Sequence, residues 1–192
     1  RCAKASAKEM VWFYKEKGFS GICITDHFLN GNTTVPNGIP WEQQIEFFCK
    51  GYENAYAEGK IVGLDVFFGW EYSYFGAHFL TFGLDKEWLL SHPEIMEYNA
   101  RQYCDFVRQQ GGVIIHAHPY REANFIDMIC LLPRSVDGVE IINANRLDFE
   151  NERAKEYCEA YDLLPCAGSD NHKGMQARLC GIKFKQRLQD VR

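Results

Sequence analysis

Short apolar runs alternate along the chain with longer amphipathic stretches. Six runs rich in Val, Ile, Phe and Leu have the length of strands and carry almost no polar position, which is typical of strands buried on both faces. They occupy residues 21–25, 65–70, 78–82, 113–116, 138–142 and 164–167. A further short apolar run at 181–184 is interpreted as a last strand.

Amphipathic stretches separate most of these runs and predict helices. The predicted helices cover residues 7–17, 41–58, 93–110 and 149–161. Gly18 and Gly59 follow the first two as C-terminal stops, and Ser91 and Asp148 precede the last two as N-caps. This alternation predicts an α/β fold, either an open sheet or a barrel.

Two segments depart from the alternation. The interval between residues 70 and 78 is too short for a helix, so the strands at 65–70 and 78–82 are predicted to form a hairpin. Residues 30–40 are rich in Asn, Gly and Pro and predict a long loop.

The composition limits the class of protein. A chain of 192 residues fits a single domain, and 46% hydrophobic with 24% charged residues is ordinary for a soluble globular protein. A formal net charge of -5 disfavours a nucleic-acid partner. No apolar run is long enough for a membrane span, and the eight cysteines form no CxxC pair, so a cytoplasmic location without a membrane partner is predicted.

Candidate chemistry is concentrated at the ends of the predicted strands. Side chains that can bind metal ions lie there at His27, Glu71, His78, His116, His118, Asp170 and His172. The C-terminal ends of parallel strands form the ligand-binding edge of α/β folds, and the hairpin brings the start of the 78–82 strand to that edge. Imidazole and carboxylate groups together suit zinc, iron or manganese, and two nearby ions suit phosphate-ester hydrolysis.

Some polar residues keep alternative interpretations. Strand alternation places His116 and His118 on the same face, so spacing does not choose between them; His118 is preferred because it lies at the strand exit. His116 is then a core residue or a partner of a ligand, and His92 is excluded as a helix-entry residue. Asp26 is either a ligand or a turn carboxylate, and Glu140 is either a strand-face charge or a partner of a ligand.

Basic side chains near the same edge are candidates for phosphate binding. Arg121 lies three residues after His118, and Lys173 directly follows His172, so both are placed to meet a phosphate. Arg146 and Arg178 are interpreted as solvated loop charges.

The series of motifs resembles the PHP (polymerase and histidinol phosphatase) superfamily over nearly the whole chain. The matching segments are Thr25-Asp26-His27, Gly69-Trp70-Glu71, His78 with Phe82-Gly83-Leu84, Ala117-His118-Pro119 and Gly168-Ser169-Asp170-Asn171-His172. The resemblance implies a distorted seven-stranded (β/α) barrel with two or three divalent ions (Zn, Mn or Fe) at its C-terminal mouth.

The resemblance also implies roles for single residues. Glu71 is the expected bridging carboxylate, with His78 and His118 as its partners on one ion. Asp170 is expected on the other ion of the pair, and His27 with His172 on a third. The expected catalytic residues are Glu71, Asp170 and His172, acting with a metal-bridging hydroxide as nucleophile.

The chain departs from the superfamily pattern at its start. Superfamily members open with a strand carrying His-x-His-Thr, and this chain contains no such motif. We therefore expect the first strand to be missing from this chain and the sequence to be truncated, with two imidazole co-ligands of Asp170 upstream of Arg1. Cys2 is a weak substitute for a third-metal ligand that is not evident.

Four functions are compatible with these motifs. The leading hypothesis is a histidinol-phosphatase-like phosphoesterase that hydrolyses a small phosphorylated metabolite or a nucleotide. A nuclease or proofreading module is disfavoured by the net charge, and a catalytically inactive, metal-stabilised interaction domain is kept as an alternative. An amidohydrolase acting on C–N bonds would need a strand-end lysine that the sequence lacks. The sequence does not indicate an oligomeric state.

Overall fold

The computed structural model describes residues 4–190, which build one curled, half-barrel sheet with helices on its outer face. The strands of this part of the chain are β1 Gly21–Ile24, β2 Asp65–Tyr74, β3 Ala77–Phe82, β4 Val113–Ala117, β5 Gly138–Asn143 and β6 Leu164–Gly168. They lie side by side in chain order. All pairs are parallel except those that β3 makes with β2 and β4.

The six strands and the hairpin are therefore confirmed, and a seventh strand of the barrel stays a prediction. The second strand is longer than predicted, because the hairpin pairing continues to Tyr74 and places Glu71 within β2 rather than after it. The strand predicted at 181–184 is wrong, because these residues have no regular structure. They lie instead against the end of α1, where a Cβ on Gly181 would come within 3.1 Å of the Phe19 ring. Without a neighbouring strand, an apolar run of four residues has no backbone partner to hold it extended.

The helices are α1 Ala7–Glu16, α2 Trp41–Val62, α3 Lys86–Ser91, α4 Ala100–Gln109 and α5 Asp148–Ala160. Helix α2 does not stop at Gly59 as predicted but runs on to a left-handed cap at Gly63. Gly59 instead lets the segment after α2 pack closely against the helix, since a Cβ there would lie 2.6 Å from the Leu64 carbonyl oxygen. Asp148 is the first residue of α5 rather than its N-cap, which is Leu147.

The single helix predicted over residues 93–110 is wrong. Residues Pro93–Glu97 form a 3-10 helix that starts after His92, so Ser91 is not an N-cap. The chain then extends at Tyr98, and Asn99 caps α4 by accepting a hydrogen bond of 2.9 Å from the Gln102 backbone nitrogen. The Asn99 and Gln102 side chains form a capping box, a start signal inside the apolar pattern that overrides its periodicity.

The two faces of the sheet have different roles, and strand register decides which residue lies on which face. The large core lies between the outer face and the helices, with Trp70, Tyr72, Phe79 and Ile114 among its buried members. Two short hydrogen bonds cross this core, because Tyr103 of α4 contacts both Trp70 and Thr81 at 2.6 Å. The inner face carries Glu71 and His78, which alternate with the core residues along β2 and β3.

Residues 30–40 form the predicted long loop between the end of β1 and α2. Among the helices of residues 4–190, none is both long and apolar enough to cross a membrane.

Candidate metal centre

Glu71 lies at the centre of the polar cluster, with a histidine on each of its oxygens. Its Oε2 is 2.5 Å from His27 Nδ1, and its Oε1 is 2.9 Å from His78 Nδ1. Backbone pairing holds these groups in place, because His27 and Glu71 form a bridge just beyond β1 and His78 lies on the neighbouring strand β3. Ligand atoms of the three side chains lie within 4.8 Å of one another.

His118 completes a triangle with His78 and Glu71. Its Nε2 lies 3.0 Å from His78 Nδ1 and 3.7 Å from Glu71 Oε1. Strand β4 ends one residue earlier at Ala117, and the backbone of His118 is left-handed with φ of 28°. Such a conformation is strained for any residue other than glycine and is often found at functional positions.

The prediction that His116 and His118 share a face is therefore wrong. His116 pairs with Phe79 on the outer face and stacks on its ring at 4.9 Å between centroids. Simple alternation would put His118 there too, but its left-handed backbone interrupts the pleat and places its imidazole beside His78. His116 is thus a core residue packed against the Phe79 and Tyr157 rings. His118 lies beside His78 and Glu71, and its role as a ligand stays a prediction.

Glu140 on β5 contacts His118 at the ring nitrogen that does not face His78. Its Oε2 accepts hydrogen bonds from the His118 backbone nitrogen at 2.9 Å and lies 3.2 Å from the ring nitrogen Nδ1. Asn143 donates to the same oxygen at 2.9 Å. Gly168 on β6 leaves room for the carboxylate, since a Cβ there would lie 2.6 Å from Glu140 Oε1. Of its two interpretations, Glu140 therefore matches the partner of a ligand.

Asp170 and His172 reach the cluster from the segment after β6. Asp170 also has a left-handed backbone, with φ of 47°. Its Oδ2 accepts a hydrogen bond of 3.3 Å from Asn143, and its Oδ1 lies 3.4 Å from His172 Nδ1. The His172 ring lies 6.2 Å from that of His27, so all six predicted ligands form one continuous cluster.

Burial and hydrogen bonding oppose each other in setting the charge of this cluster. Burial alone would raise the pKa of the Glu71 carboxyl, but contacts with His27 and His78 outweigh it and hold that pKa well below its usual range. Burial lowers the pKa of His78 despite its contact with Glu71. For His118 the contacts with Glu140 outweigh burial and raise the pKa. The carboxylate is thus ionised at neutral pH.

Of the other polar residues weighed from the sequence, His92 and Arg178 lie apart from the cluster, whereas Asp26 borders it beside His27. His92 contacts Glu94 at 2.8 Å and packs against the Trp88 ring at a tilt of 42°, in agreement with its exclusion. The Asp26 carboxylate lies against α2, where a Cβ on Gly51 would come within 2.7 Å of it. Arg178 forms an ion pair of 2.7 Å with Asp148. Cys2 lies outside the described residues.

The two predicted phosphate-binding residues lie on loops beside the cluster. Arg121 follows a turn closed by a hydrogen bond of 3.0 Å from its backbone nitrogen to the His118 carbonyl oxygen. Lys173 lines a cavity of about 230 Å³ together with Asp170 and His172. A larger cavity of about 680 Å³ lies near the start of β2, at the end of that strand opposite to the cluster, and none of the predicted ligands lines it.

Asn143 is a site residue that the sequence reasoning missed. Its amide joins Glu140 to Asp170 and is fully buried at the end of β5. Its position three residues after Glu140, at the exit of a predicted strand, is the signal that could have identified it.

The ligand atoms around Glu71 Oε1 fit a divalent ion. Bonds of about 2.1 Å to imidazole nitrogen and carboxylate oxygen place neighbouring ligand atoms roughly 3.0 to 3.4 Å apart. The triangle of His78 Nδ1, His118 Nε2 and Glu71 Oε1 has sides of 2.9, 3.0 and 3.7 Å. Two imidazole nitrogens and a carboxylate oxygen facing one another at these separations are the donor set that zinc, manganese or iron accepts.

No family model matches the chain, and no curated protein matches it in sequence. Solved structures do match its fold. A protein from Bifidobacterium adolescentis, provisionally described as a metal-dependent phosphoesterase, is 16% identical, with a TM-score of 0.63 over 92% of this chain and 85% of that one. A two-domain protein from Bacteroides vulgatus, which contains a predicted PHP-like metal-dependent phosphoesterase, is 15% identical, with a TM-score of 0.59 over 86% of this chain and 48% of that one.

A third structure is an amidohydrolase from Chromobacterium violaceum with bound sulfate and no metal. It is 13% identical, with a TM-score of 0.60 over 89% of this chain and 84% of that one. At such identities the likeness establishes the fold. The fold is one that these structures share, two of them described as metal-dependent phosphoesterases and one as an amidohydrolase.

Proposed function

We propose that the protein is a metal-dependent phosphoesterase that hydrolyses a small phosphorylated metabolite or a nucleotide. The observation that carries the proposal is the triangle of His78, His118 and Glu71 atoms at ligand spacing, located at the C-terminal edge of the sheet. The fold neighbours described as metal-dependent phosphoesterases support it.

The arrangement around Glu71 suits two ions rather than one. Its Oε1 faces His78 and His118, whereas its Oε2 faces His27 on the other side. A carboxylate whose two oxygens face different imidazoles can bridge two divalent ions, and we propose two or three ions of zinc, manganese or iron. When bound, such ions lower the pKa of a coordinated water and neutralise charge on phosphoryl oxygens.

The chain's own residues hold the ions and orient the ester. Glu71 with His78 and His118 would hold one ion, and Asp170 would hold the other member of the pair that Glu71 bridges. His27 with His172 would hold a third ion, next to the second Glu71 oxygen. Arg121 and Lys173 donate to phosphate oxygens from the loops after β4 and β6. Glu140 and Asn143 fix the orientation of His118 and Asp170, so that the ligands are in place before substrate binds.

Hydrolysis of a C–N bond is the second candidate, because the fold neighbour from Chromobacterium violaceum is described as an amidohydrolase. A phosphoesterase must bind an anionic phosphate beside the cluster, whereas an amidohydrolase can act on a neutral amide. Arg121 and Lys173 place two cations beside the cluster, which favours a phosphate ester over a neutral amide. A nucleic-acid substrate fits poorly with a net charge of -5.

The proposal is tested by hydrolysis assays on a panel of phosphate esters that includes histidinol phosphate and nucleotides. We expect activity with manganese or zinc, loss of activity with chelator, and a fall of at least about 1,000-fold for Glu71→Ala, because an ion bridge is removed. Glu152→Ala, on the exposed face of α5, is the matched control and should retain full activity. Activity that survives both chelator and Glu71→Ala would rule out the proposal.

A further inference from the structure

We propose that the mouth of the metal centre carries a subsite for an aromatic ring, built from Arg121, Phe125 and Phe75, so that the substrate is a phosphate ester bearing an aryl or heteroaryl group. This inference rests on the proposed function, because it specifies the substrate class of the same site.

Arg121 and Phe125 form a cation–π pair on the loop that follows His118. The Arg121 guanidinium carbon lies 5.0 Å from the centroid of the Phe125 ring. In the part of the chain that the structure describes, no carboxylate forms an ion pair with this guanidinium. The guanidinium is close enough to His78 for the two charges to interact. Its N–H donors therefore remain available to a phosphate at the metal centre.

The loop that carries Phe125 packs against the tip of the β2–β3 hairpin. Ile126 lies so close to Gly76 that a Cβ on this glycine would be 2.9 Å from the Ile126 Cγ1 atom. Phe75 precedes Gly76 at the tip, and His78 follows two residues later on β3. The aromatic residues of the loop and the hairpin thus border the same mouth as the ligands.

Phe75 occupies a costly backbone position, and its ring contacts the Tyr74 ring edge-on at 4.8 Å between centroids. Its side chain is 83% exposed, and its backbone is left-handed with φ of 45°, a conformation that disfavours bulky side chains. A strained, exposed aromatic residue beside a ligand cluster is more consistent with ligand contact than with stability. Phe125 and Met128 are 66% and 69% exposed on the facing loop, so the apolar rim has members on both sides.

The side chains of this apolar rim favour one kind of ligand. Flat apolar side chains with a guanidinium packed against one of them favour a planar ring, whereas a short aliphatic ester would leave them exposed to water. Arg121 joins the two parts of the subsite, because its guanidinium lies against the Phe125 ring and also carries N–H donors that can bind a phosphate.

Binding of two phosphonates tests the subsite without turnover, because their C–P bonds resist hydrolysis. Calorimetric titration of the manganese-loaded protein should show phenylphosphonate binding at least about tenfold more tightly than methylphosphonate, the typical gain from one stacked ring. In Phe125→Ala this ratio should fall to about one to two, with methylphosphonate affinity unchanged within about twofold, because only the ring contact is lost. Phe125→Leu, which keeps an apolar side chain without a flat face, should give an intermediate ratio.

Phe47→Ala is the matched control, since Phe47 is an exposed phenylalanine on helix α2 rather than on the loops that follow the strands, and it should keep the full ratio. An equal affinity for both phosphonates, no detectable binding of either, or a preference that persists in Phe125→Ala overturns the subsite. If the preference follows Phe125 but no phosphate ester is hydrolysed, the subsite stands and the proposed reaction fails.

Discussion

At the scale of single residues, Glu140 is expected to control metal affinity without touching the ion. Its carboxylate contacts both the backbone and the ring of His118, and it sets which ring nitrogen faces the cluster. Glu140→Gln keeps the shape but loses the charge, and it should weaken manganese binding by about tenfold. Calorimetric titration of metal into the chelator-stripped protein measures this change.

Glu152→Gln provides the control for this experiment, because it makes the same substitution on the exposed face of α5. Its metal affinity should equal that of the parent protein. An unchanged affinity in Glu140→Gln would mean that the hydrogen bonds to His118 do not position the ligand.

His116 is expected to make the fold sensitive to acid. It is fully buried on the outer face, and burial lowers its pKa to about 3, against about 6.5 in an unfolded chain. The unfolded state therefore takes up a proton below pH 6.5 that the folded state does not, and stability falls as the pH decreases. Between pH 7 and pH 5 this linkage should cost about 2 kcal/mol of unfolding free energy.

His116→Phe removes the titrating group and keeps a ring to stack on Phe79. Urea unfolding at pH 7 and pH 5, with chelator present to exclude metal effects, should show a smaller loss of stability in the variant by about 2 kcal/mol. Equal losses in the two proteins would show that His116 does not couple folding to pH. Carboxylates elsewhere titrate alike in both proteins and cancel in the comparison.

At the scale of elements, the β2–β3 hairpin tip should be easy to stabilise. Phe75 and Gly76 both have positive φ, the backbone that two-residue hairpin turns adopt and that Asn-Gly prefers. Phe75→Asn should raise the unfolding free energy by about 0.5–1 kcal/mol, and the midpoint of thermal unfolding by about 1–4 °C. Phe75→Ala is the control, and a midpoint no higher for Asn than for Ala would contradict the turn argument.

The six strands were predictable from sequence because each one contains an apolar run, but the run at 181–184 lacks a strand partner and β2 continues past its apolar run to Tyr74. Helix bounds were harder, because local caps compete with periodicity. Residues 93–110 carry an apolar pattern throughout, but Pro93 and the Asn99–Gln102 capping box divide it. Helix α3 was missed because its six residues are fewer than two helical turns.

The site was predictable to the extent that ligands lie at strand ends. Glu71 and His78 follow from the alternation of β2 and β3 once the hairpin is recognised. His118 does not, because its face depends on one left-handed residue that no hydrophobic pattern reports. The supporting role of Glu140 depends on contacts between β4 and β5 and on the space beside Gly168, which sequence spacing does not describe.

At the scale of the whole molecule, the sheet collects the cluster from segments distant in sequence. His27 follows β1, Glu71 lies on β2, His118 follows β4, and Asp170 follows β6. In an unfolded chain these groups are far apart, so the cluster exists only in the folded state. Metal binding should therefore be coupled to folding.

This coupling predicts that divalent ions raise the thermal stability of the protein, and that ions which bind more tightly raise it more. At about 100 times its dissociation constant, one bound ion adds about 2.7 kcal/mol to the unfolding free energy. For a chain of this size that corresponds to an increase of about 5 to 10 °C in the unfolding midpoint. Manganese or zinc should give this increase and chelator should reverse it, whereas magnesium should give much less, since it prefers oxygen over imidazole.

The decisive comparison uses Glu71→Gln and His92→Gln under the same titration. Glu71→Gln should lose most of the increase, because the Glu71 carboxylate serves the histidines on both of its sides. His92→Gln should keep the full increase, because His92 pairs with Glu94 outside the cluster. An increase that persists in Glu71→Gln, or one that magnesium matches, would indicate ions bound elsewhere on this acidic chain rather than between the strand ends.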